Sequence, residues 1–404
     1  MVWLVSHTSE NPTILHRYST AYALVILSSA AMATLATAIC FGPLFTFVDS
    51  RRGPILTVFL ATLAAGALAD LMVRTFDPIG VSYYEESRRY HLAKVPDAQL
   101  YFRHEANLDT SYQGVRVKTN SIGFRDDEIS DKRTGEFRIL FLGDSVTFGW
   151  GVEAQDTFSE RTGRLLQADS SLLITAINSG VGGYNTTNEA AVLTRHGDVL
   201  QPDLVVLTYV GNDLDESSPQ PFDPQADLAL TGKSPPQIIQ MWLWNSWTYR
   251  LLTHALRYRS SDDVASRFDP DHHKGWLESK GSLLTIVHFC QARHIPLVLV
   301  LFRMGRGEPL DTLARLFDQL AVSDDFVFAD TVTWFEGVDE RVVTNSIVDS
   351  HPNAKGHQIL AAGISKVIMA RGVGPPTSMS PDAQDQRSGT QATTAIGPST
   401  LDLE

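Results

Sequence analysis

Five apolar runs of strand length, at residues 138–142, 172–177, 204–209, 296–302 and 326–329, are separated by helix-like stretches such as 157–168 and 187–196. A short run that is apolar at nearly every position suits a strand buried on both faces, and strands joined through helices lie parallel. The alternation therefore predicts an α/β domain whose parallel sheet is covered by helices on both faces. In an open sheet of this kind ligands bind beyond the carboxyl ends of the strands. The residues that follow each run are thus the place to look for chemistry.

The N-terminal part obeys a different rule. No charged side chain occurs at 18–48, a stretch rich in Ala, Leu, Ile and Phe, and after a link at 49–52 a second apolar run covers 53–69 and continues past Asp70 to Val73. About 20 apolar residues cross a bilayer as a helix. Both runs lack the polar stripe of a surface helix. A transmembrane hairpin at 18–76 is expected, after a polar lead at 1–17, with membrane lipid as its partner. A cleaved signal peptide fits less well, since a long polar lead precedes the first run and a second run follows it. Arg51 and Arg52 in the link favour a cytoplasmic link and an extracytoplasmic C-terminal part, while Arg17, Arg74, Arg88 and Arg89 pull the other way.

Residues 77–136 read as a mixed, polar lead-in packed on the α/β domain, which spans 137–372 and carries an insertion at about 215–275. Trp242, Trp244, Trp247 and Tyr249 of that insertion either pack it or line a binding site, with packing favoured. The tail at 373–404 is too poor in apolar residues to fold and is expected to be disordered. A formal net charge of −13 argues against nucleic acid as a partner. Cys40 and Cys290, far apart and alone, build neither a disulfide framework nor a thiolate metal site. His272 and His273 beside Asp269 and Asp271 lack metal-ligand spacing and read as a solvated loop.

Four segments carry candidate chemistry. Gly143-Asp144-Ser145 follows the first strand and places a hydroxyl at the strand end. Asn178-Ser179-Gly180-Val181-Gly182-Gly183-Tyr184-Asn185 follows the second and leaves backbone N–H groups accessible. Gly211-Asn212-Asp213 follows the third and offers a side-chain amide. Asp349-Ser350-His351-Pro352 precedes the last helix and brings an imidazole that can take the serine proton, with a nearby carboxylate to fix its tautomer. A hydroxyl, N–H donors, an amide and a base are the set that acyl transfer requires. His357, inside the start of the helix, reads as structural.

These four stations resemble, in order and context, the blocks of the SGNH (GDSL-like) hydrolases over residues 138–372, with the insertion unaligned. The resemblance implies a flavodoxin-like three-layer α/β/α sandwich and hydrolysis or transfer of ester-linked acyl groups, often acetyl, with no metal or organic cofactor. It assigns Ser145 as nucleophile and His351 as base. Ser145 N–H, Gly183 N–H and the Asn212 amide become the oxyanion donors, and Asp144 and Asp213 brace the loops. The usual block has its acid three residues before the histidine, where Val348 stands here. Asp349, two before, is taken as the acid, the alternative being a Ser–His pair oriented by a backbone carbonyl. Asn120-Ser121-Ile122-Gly123-Phe124-Arg125-Asp126 is also similar to the lead-in of bacterial membrane-anchored members, which are associated with envelope carbohydrates. The expected activity is an esterase acting on a small-molecule or carbohydrate ester. The alternatives are an acyltransferase that O-acetylates a surface polysaccharide and a non-catalytic binding module.

Overall fold

The computed structural model of the protein describes residues 51–77, 79–216, 246–257 and 269–376. The first apolar run, Trp242, Trp244 and the tail beyond 376 lie outside the described residues. The expected hairpin is therefore described in one member only, α1 (Arg52–Phe76). Its 25 residues, at about 1.5 Å each, exceed the thickness of a hydrocarbon core. Its most apolar window has a mean hydropathy of 2.0 and no buried residue, and among the described residues it is the one helix long and apolar enough to cross a membrane.

Contacts divide the chain into two compact units. In the first, among the described residues, α1 packs against the helix Trp247–Arg257. Asp70, the acid that interrupts the apolar run, accepts hydrogen bonds from Ser246 Oγ (2.8 Å) and Thr248 N–H (3.1 Å). It also pairs with Arg74 at 2.7 Å, and the Arg74 guanidinium lies 5.4 Å from the centre of the Trp247 ring. Trp247 thus packs against α1, within this unit.

The second unit begins with the lead-in. Here the structure shows regular elements that the mixed sequence did not announce: α2 (Tyr83–Leu92) and two antiparallel hairpins, β1 (Val95–Asp97) with β2 (Tyr101–Arg103), and β3 (Asp109–Tyr112) with β4 (Val115–Lys118). The parallel domain follows as β5 (Glu136–Leu142), α3 (Phe158–Asp169), β6 (Leu173–Asn178), α4 (Thr186–Leu200) and β7 (Leu204–Tyr209). It continues through α5 (Lys274–Ala292), β8 (Leu297–Leu301), α6 (Leu310–Ser323), β9 (Val327–Asp330) and α7 (Ala354–Ala370).

All five strands β5 to β9 are parallel, in the order β6-β5-β7-β8-β9. Successive side chains of a strand point to opposite faces. Ile139, Phe141, Val206, Val298 and Val300 accordingly meet Phe158 and Leu166 of α3 and Leu360 and Ile364 of α7. Leu140, Leu142, Val205, Leu207 and Leu299 meet Leu193 of α4, Ile286 of α5 and Phe317 of α6 on the other side. Strand order reverses at β5, between β6 and β7, which makes its carboxyl end the switch point where open α/β sheets bind ligands.

Candidate active site

β5 ends at Leu142, and the chain turns at once. Gly143 has φ +155°, and a Cβ there would lie 2.1 Å from Thr147 Oγ1, so the turn requires glycine. Asp144 caps the short helical turn Ser145–Phe148 by accepting the Val146 N–H on Oδ1 at 2.9 Å. Its other oxygen lies 3.0 Å from Ser145 Oγ and 3.1 Å from Asn212 Nδ2. Arg125, buried in the lead-in, clamps the far side of the turn. Its guanidinium donates to the carbonyls of Phe148 (2.9 Å), Gly149 (2.7 Å), Val152 (2.8 Å) and Arg116 (3.1 Å).

Ser145 Oγ stands 2.8 Å from His351 Nε2, and His351 Nδ1 stands 2.5 Å from Asp349 Oδ1. A carboxylate, rather than a backbone carbonyl, therefore faces Nδ1. The two-residue spacing works because Asp349 forms a tight turn on itself: the same Oδ1 accepts the His351 N–H at 3.2 Å. The Asp349 side chain is fully buried, with Oδ2 accepting from Trp150 Nε1 and Asn345 Nδ2, each at 3.1 Å, and from Gln113 Nε2 at 3.5 Å. The loop is pinned by Asn345 N–H on His351 O (2.9 Å) and by Asn353. That residue caps α7 and donates to the carbonyls of Val342 and Thr344.

The turn after β6 lies along the nucleophile turn. Val181 N–H donates to Gly143 O (3.2 Å), and Asn178 Nδ2 donates to Thr147 O (2.8 Å). Asp126 of the lead-in accepts the Asn178 N–H at 2.9 Å, and burial pushes its carboxyl up to about 7. Gly183 is exposed, with φ +83°, a conformation that side-chain-bearing residues rarely adopt. After β7, one Nδ2 proton of Asn212 is engaged by Asp144, leaving the second for another acceptor. Asp213 braces this turn, accepting from Val210 N–H and Thr186 Oγ1, each at 2.7 Å. Burial pushes the Asp213 carboxyl up, and that of its neighbour Glu189 with it.

The structure thus brings Ser145, His351, Asp349, Asp144 and Asn212 together, the single Ser145 proton going either to Asp144 Oδ2 or to His351 Nε2. Gly183 sits on the adjoining turn, and Asp213 stands behind it. His357 is elsewhere: it accepts the Phe158 N–H on Nδ1 at 3.0 Å and stacks on the Phe158 ring, and burial lowers its pKa to about 3. His272 pairs with Asp269 at an exposed position, and His273 caps α5. Among the described residues no cluster of His, Cys, Asp and Glu is arranged to hold a metal.

Sequence reasoning missed the residues that surround the set. Tyr83 and Trp150 lie 6.0 Å and 6.3 Å, ring centre to ring centre, from His351. Asn345 and Gln113 donate to Asp349, and Arg125 holds the turn that carries Ser145. Trp150 follows the Gly-Asp-Ser block by a few residues, which was a signal within reach. Arg125 lay within the lead-in block that carries a family resemblance, and nothing in the spacing of Tyr83, Asn345 and Gln113 pointed to the site.

A five-stranded parallel sheet with a Ser–His–Asp chain at its switch point defines the class of acyl hydrolases that work through a serine. The chain belongs to the GDSL-like lipase/acylhydrolase family, whose model matches residues 141–359. It is similar to a solved G-D-S-L family protein from Desulfitobacterium hafniense DCB-2, with 13% identity, 57% of this chain and 98% of that one covered, and a TM-score of 0.36. It is also similar to a catalytic mutant of Axe2, an acetylxylan esterase from Geobacillus stearothermophilus, with 19% identity, 57% and 94% covered, and a TM-score of 0.37. No curated protein matches the chain in sequence.

Proposed function

We propose that the protein is a membrane-tethered serine esterase that removes ester-linked acyl groups, acetyl foremost, from a carbohydrate or other cell-envelope molecule through an acyl-enzyme. The observation that carries the reading is the unbroken chain Ser145 Oγ, His351 Nε2, His351 Nδ1, Asp349 Oδ1, with links of 2.8 Å and 2.5 Å. Family membership supports the ester-cleaving chemistry.

The mechanism follows from these positions. Asp349 holds the proton on Nδ1, so the Nε2 lone pair faces the serine hydroxyl. Ser145 Oγ attacks the ester carbonyl as its proton passes to Nε2. The negative charge that develops on the carbonyl oxygen is met by Ser145 N–H, Gly183 N–H and the second Nδ2 proton of Asn212. Collapse breaks the C–O bond of the ester, and His351 returns the proton to the departing alcohol. Water, deprotonated by His351, then attacks the acyl carbon, releasing the acid and restoring Ser145. Tyr83, partly exposed beside the imidazole and backed by the buried Trp150, offers an aromatic face suited to the apolar face of a sugar ring. The exposed apolar surface of α1 supports a bilayer as the surrounding medium for that helix, and Arg51 and Arg52 in the link before it favour the extracytoplasmic side for the enzyme.

The full chain, purified in detergent, tests the reading. A fluorophosphonate probe is expected to label the wild type and not Ser145→Ala, and p-nitrophenyl acetate to be turned over at least about 10⁴-fold faster by the wild type than by that variant. Wild-type protein that neither takes the probe nor cleaves p-nitrophenyl esters from two to eight carbons above the Ser145→Ala background overturns it. With a sugar acceptor added to the ester, acetylated sugar among the products, rather than acetate alone, would replace hydrolysis by transfer. Protection of residues beyond α1 from protease in intact cells would reverse the assigned side.

A further inference from the structure

We propose that Tyr90, held by His104, is a positioning residue for the oxyanion-binding turn, fixing the Val181–Gly182 peptide, next to the one that carries the Gly183 N–H, through a hydrogen bond to the Gly182 N–H. The inference rests on the esterase reading above and extends it to two residues of the lead-in, outside the family-matched region.

The turn after β6 is tied at residues 178–181 and at Tyr184, but Gly182 and Gly183 between them have no side chains with which to hold themselves. A donor that stabilises a transition state must nonetheless be in place before the charge develops. Gly182 is buried, so its N–H needs a partner. That partner is Tyr90 Oη, at 2.7 Å. Tyr90 has one proton to give, and it goes to His104 Nε2 at 2.6 Å, because the His104 Nδ1 proton is directed to Gly123 O, a pure acceptor, at 3.1 Å. The relay thus runs in one direction, from Gly182 N–H through the tyrosine hydroxyl and the imidazole to Gly123 O. Burial lowers His104 to about 3, which keeps the ring neutral, the state this polarity requires.

Two further features tie the relay to the turn. The Tyr90 ring is caged by Phe148, Trp150, Tyr112 and His104, with centres 5.2 Å to 5.5 Å away, and two of the four belong to the segment that carries Ser145. A Cβ at Gly182 would lie 2.7 Å from Tyr90 Cε1, so the glycine and the tyrosine are fitted to each other. Lys94, also buried, packs its ammonium over the Tyr90 and Phe102 rings and would meet a Cβ at Gly183 at 3.2 Å, which crowds the same turn from the lead-in side.

Tyr90→Phe keeps the caged ring and removes only the oxygen. In the full chain with p-nitrophenyl acetate it is expected to lower kcat about 10- to 100-fold with KM changed less than threefold, in line with the displacement of one oxyanion donor. Inhibition by a boronic acid, which forms a tetrahedral adduct on the serine, should weaken in parallel, and amide hydrogen exchange at 180–184 should quicken while the sheet is unchanged. His104→Phe should cost less, about 3- to 10-fold, since Tyr90 can still accept from Gly182, and the double variant should be no worse than Tyr90→Phe alone. A folded Tyr90→Phe protein with wild-type kcat, or, where that variant does not fold, a His104→Phe protein with wild-type kcat, overturns the relay and leaves the esterase standing. A wild type without Ser145-dependent turnover overturns the esterase and the relay together.

Discussion

The parallel sheet and the lead-in contribute to the same site in different ways. From the strand ends come the groups placed to react: Ser145 after β5, Gly183 after β6, Asn212 after β7, and His351 with Asp349 before α7. From the lead-in come groups that never approach a reacting atom in the proposed scheme but hold those that do: Arg125 on the nucleophile turn, Asp126 on Asn178, Tyr90 on Gly182 and Gln113 on Asp349. The difference matches the physics of the two regions. A close-packed buried sheet holds its strand ends rigidly. The turns beyond those ends are short and rich in glycine, and they need outside support.

The division of labour is broken most directly at Asp349. In Asp349→Asn the amide can present N–H to Nδ1 and favour the wrong tautomer, so Nε2 would carry a proton where a lone pair is needed. Such a change typically costs about 10⁴-fold in kcat, near 5 kcal/mol, with little change in KM. Ester hydrolysis by the purified variant within tenfold of wild type would mean that the carboxylate is a packing element. Asn212→Ala comes next. Loss of one preorganised donor costs about 10²-fold or more in kcat, near 3 kcal/mol, without unfolding, since the Asn212 Oδ1 has no partner among the described residues. Hydrolysis kinetics with a matched thermal melt check both halves, and full activity would remove Asn212 from the reaction.

The same division explains what the sequence made legible. Strand-length apolar runs located β5 to β9 to within about two residues, because strands buried on both faces, as β7 and β8 are throughout and β5 over most of its length, leave a compositional trace at every position. Three of the four polar stations sat where those runs ended, and the fourth stood before the last helix. The proximity of Asp349 to His351 was readable, but not how a two-residue spacing reaches Nδ1, which depends on the turn that Oδ1 makes with the His351 N–H. The lead-in left no such trace. β1 to β4 are three or four residues long, shorter than any hydrophobic period can register, and Gln113 approaches Asp349 from 236 positions away. Contacts made by single polar side chains at that separation have no pattern to read.

Asp126 sharpens the comparison on the side of stability. With its carboxyl pushed up to about 7 by burial, it stays protonated in the folded chain while the unfolded chain ionises near 4. The folded state then binds more protons than the unfolded one between about pH 4 and 7. Stability must therefore fall as pH rises through that window and level off above it. Allowing for the partial exposure of the side chain, the contribution is of order 1–2 kcal/mol. Asp126→Asn should flatten this slope. It also adds a pH-independent penalty, since an amide cannot accept the N–H groups of both Asn178 and Asp127. Denaturant midpoints at pH 5 and pH 8 separate the two effects, and an unchanged slope would assign the pH dependence to the buried pair Asp213 and Glu189 instead.

The smallest effect belongs to Gln113, where the lead-in comes nearest to Asp349, the proposed acid of the set. Its Nε2 is 3.5 Å from Asp349 Oδ2, at the limit of a hydrogen bond, while Trp150 and Asn345 already hold that oxygen at 3.1 Å. Gln113 also occupies the tip of the β3–β4 hairpin at φ +51°, so alanine would confound lost contact with backbone strain. Gln113→Asn avoids this, since asparagine tolerates the left-handed region and its amide is too short to reach. Hydrolysis should fall less than threefold, below about 0.7 kcal/mol, with the melt unchanged. A tenfold loss of kcat at constant KM would make the hairpin tip part of what sets the acid, and the boundary between groups that react and groups that hold would then run through the lead-in itself.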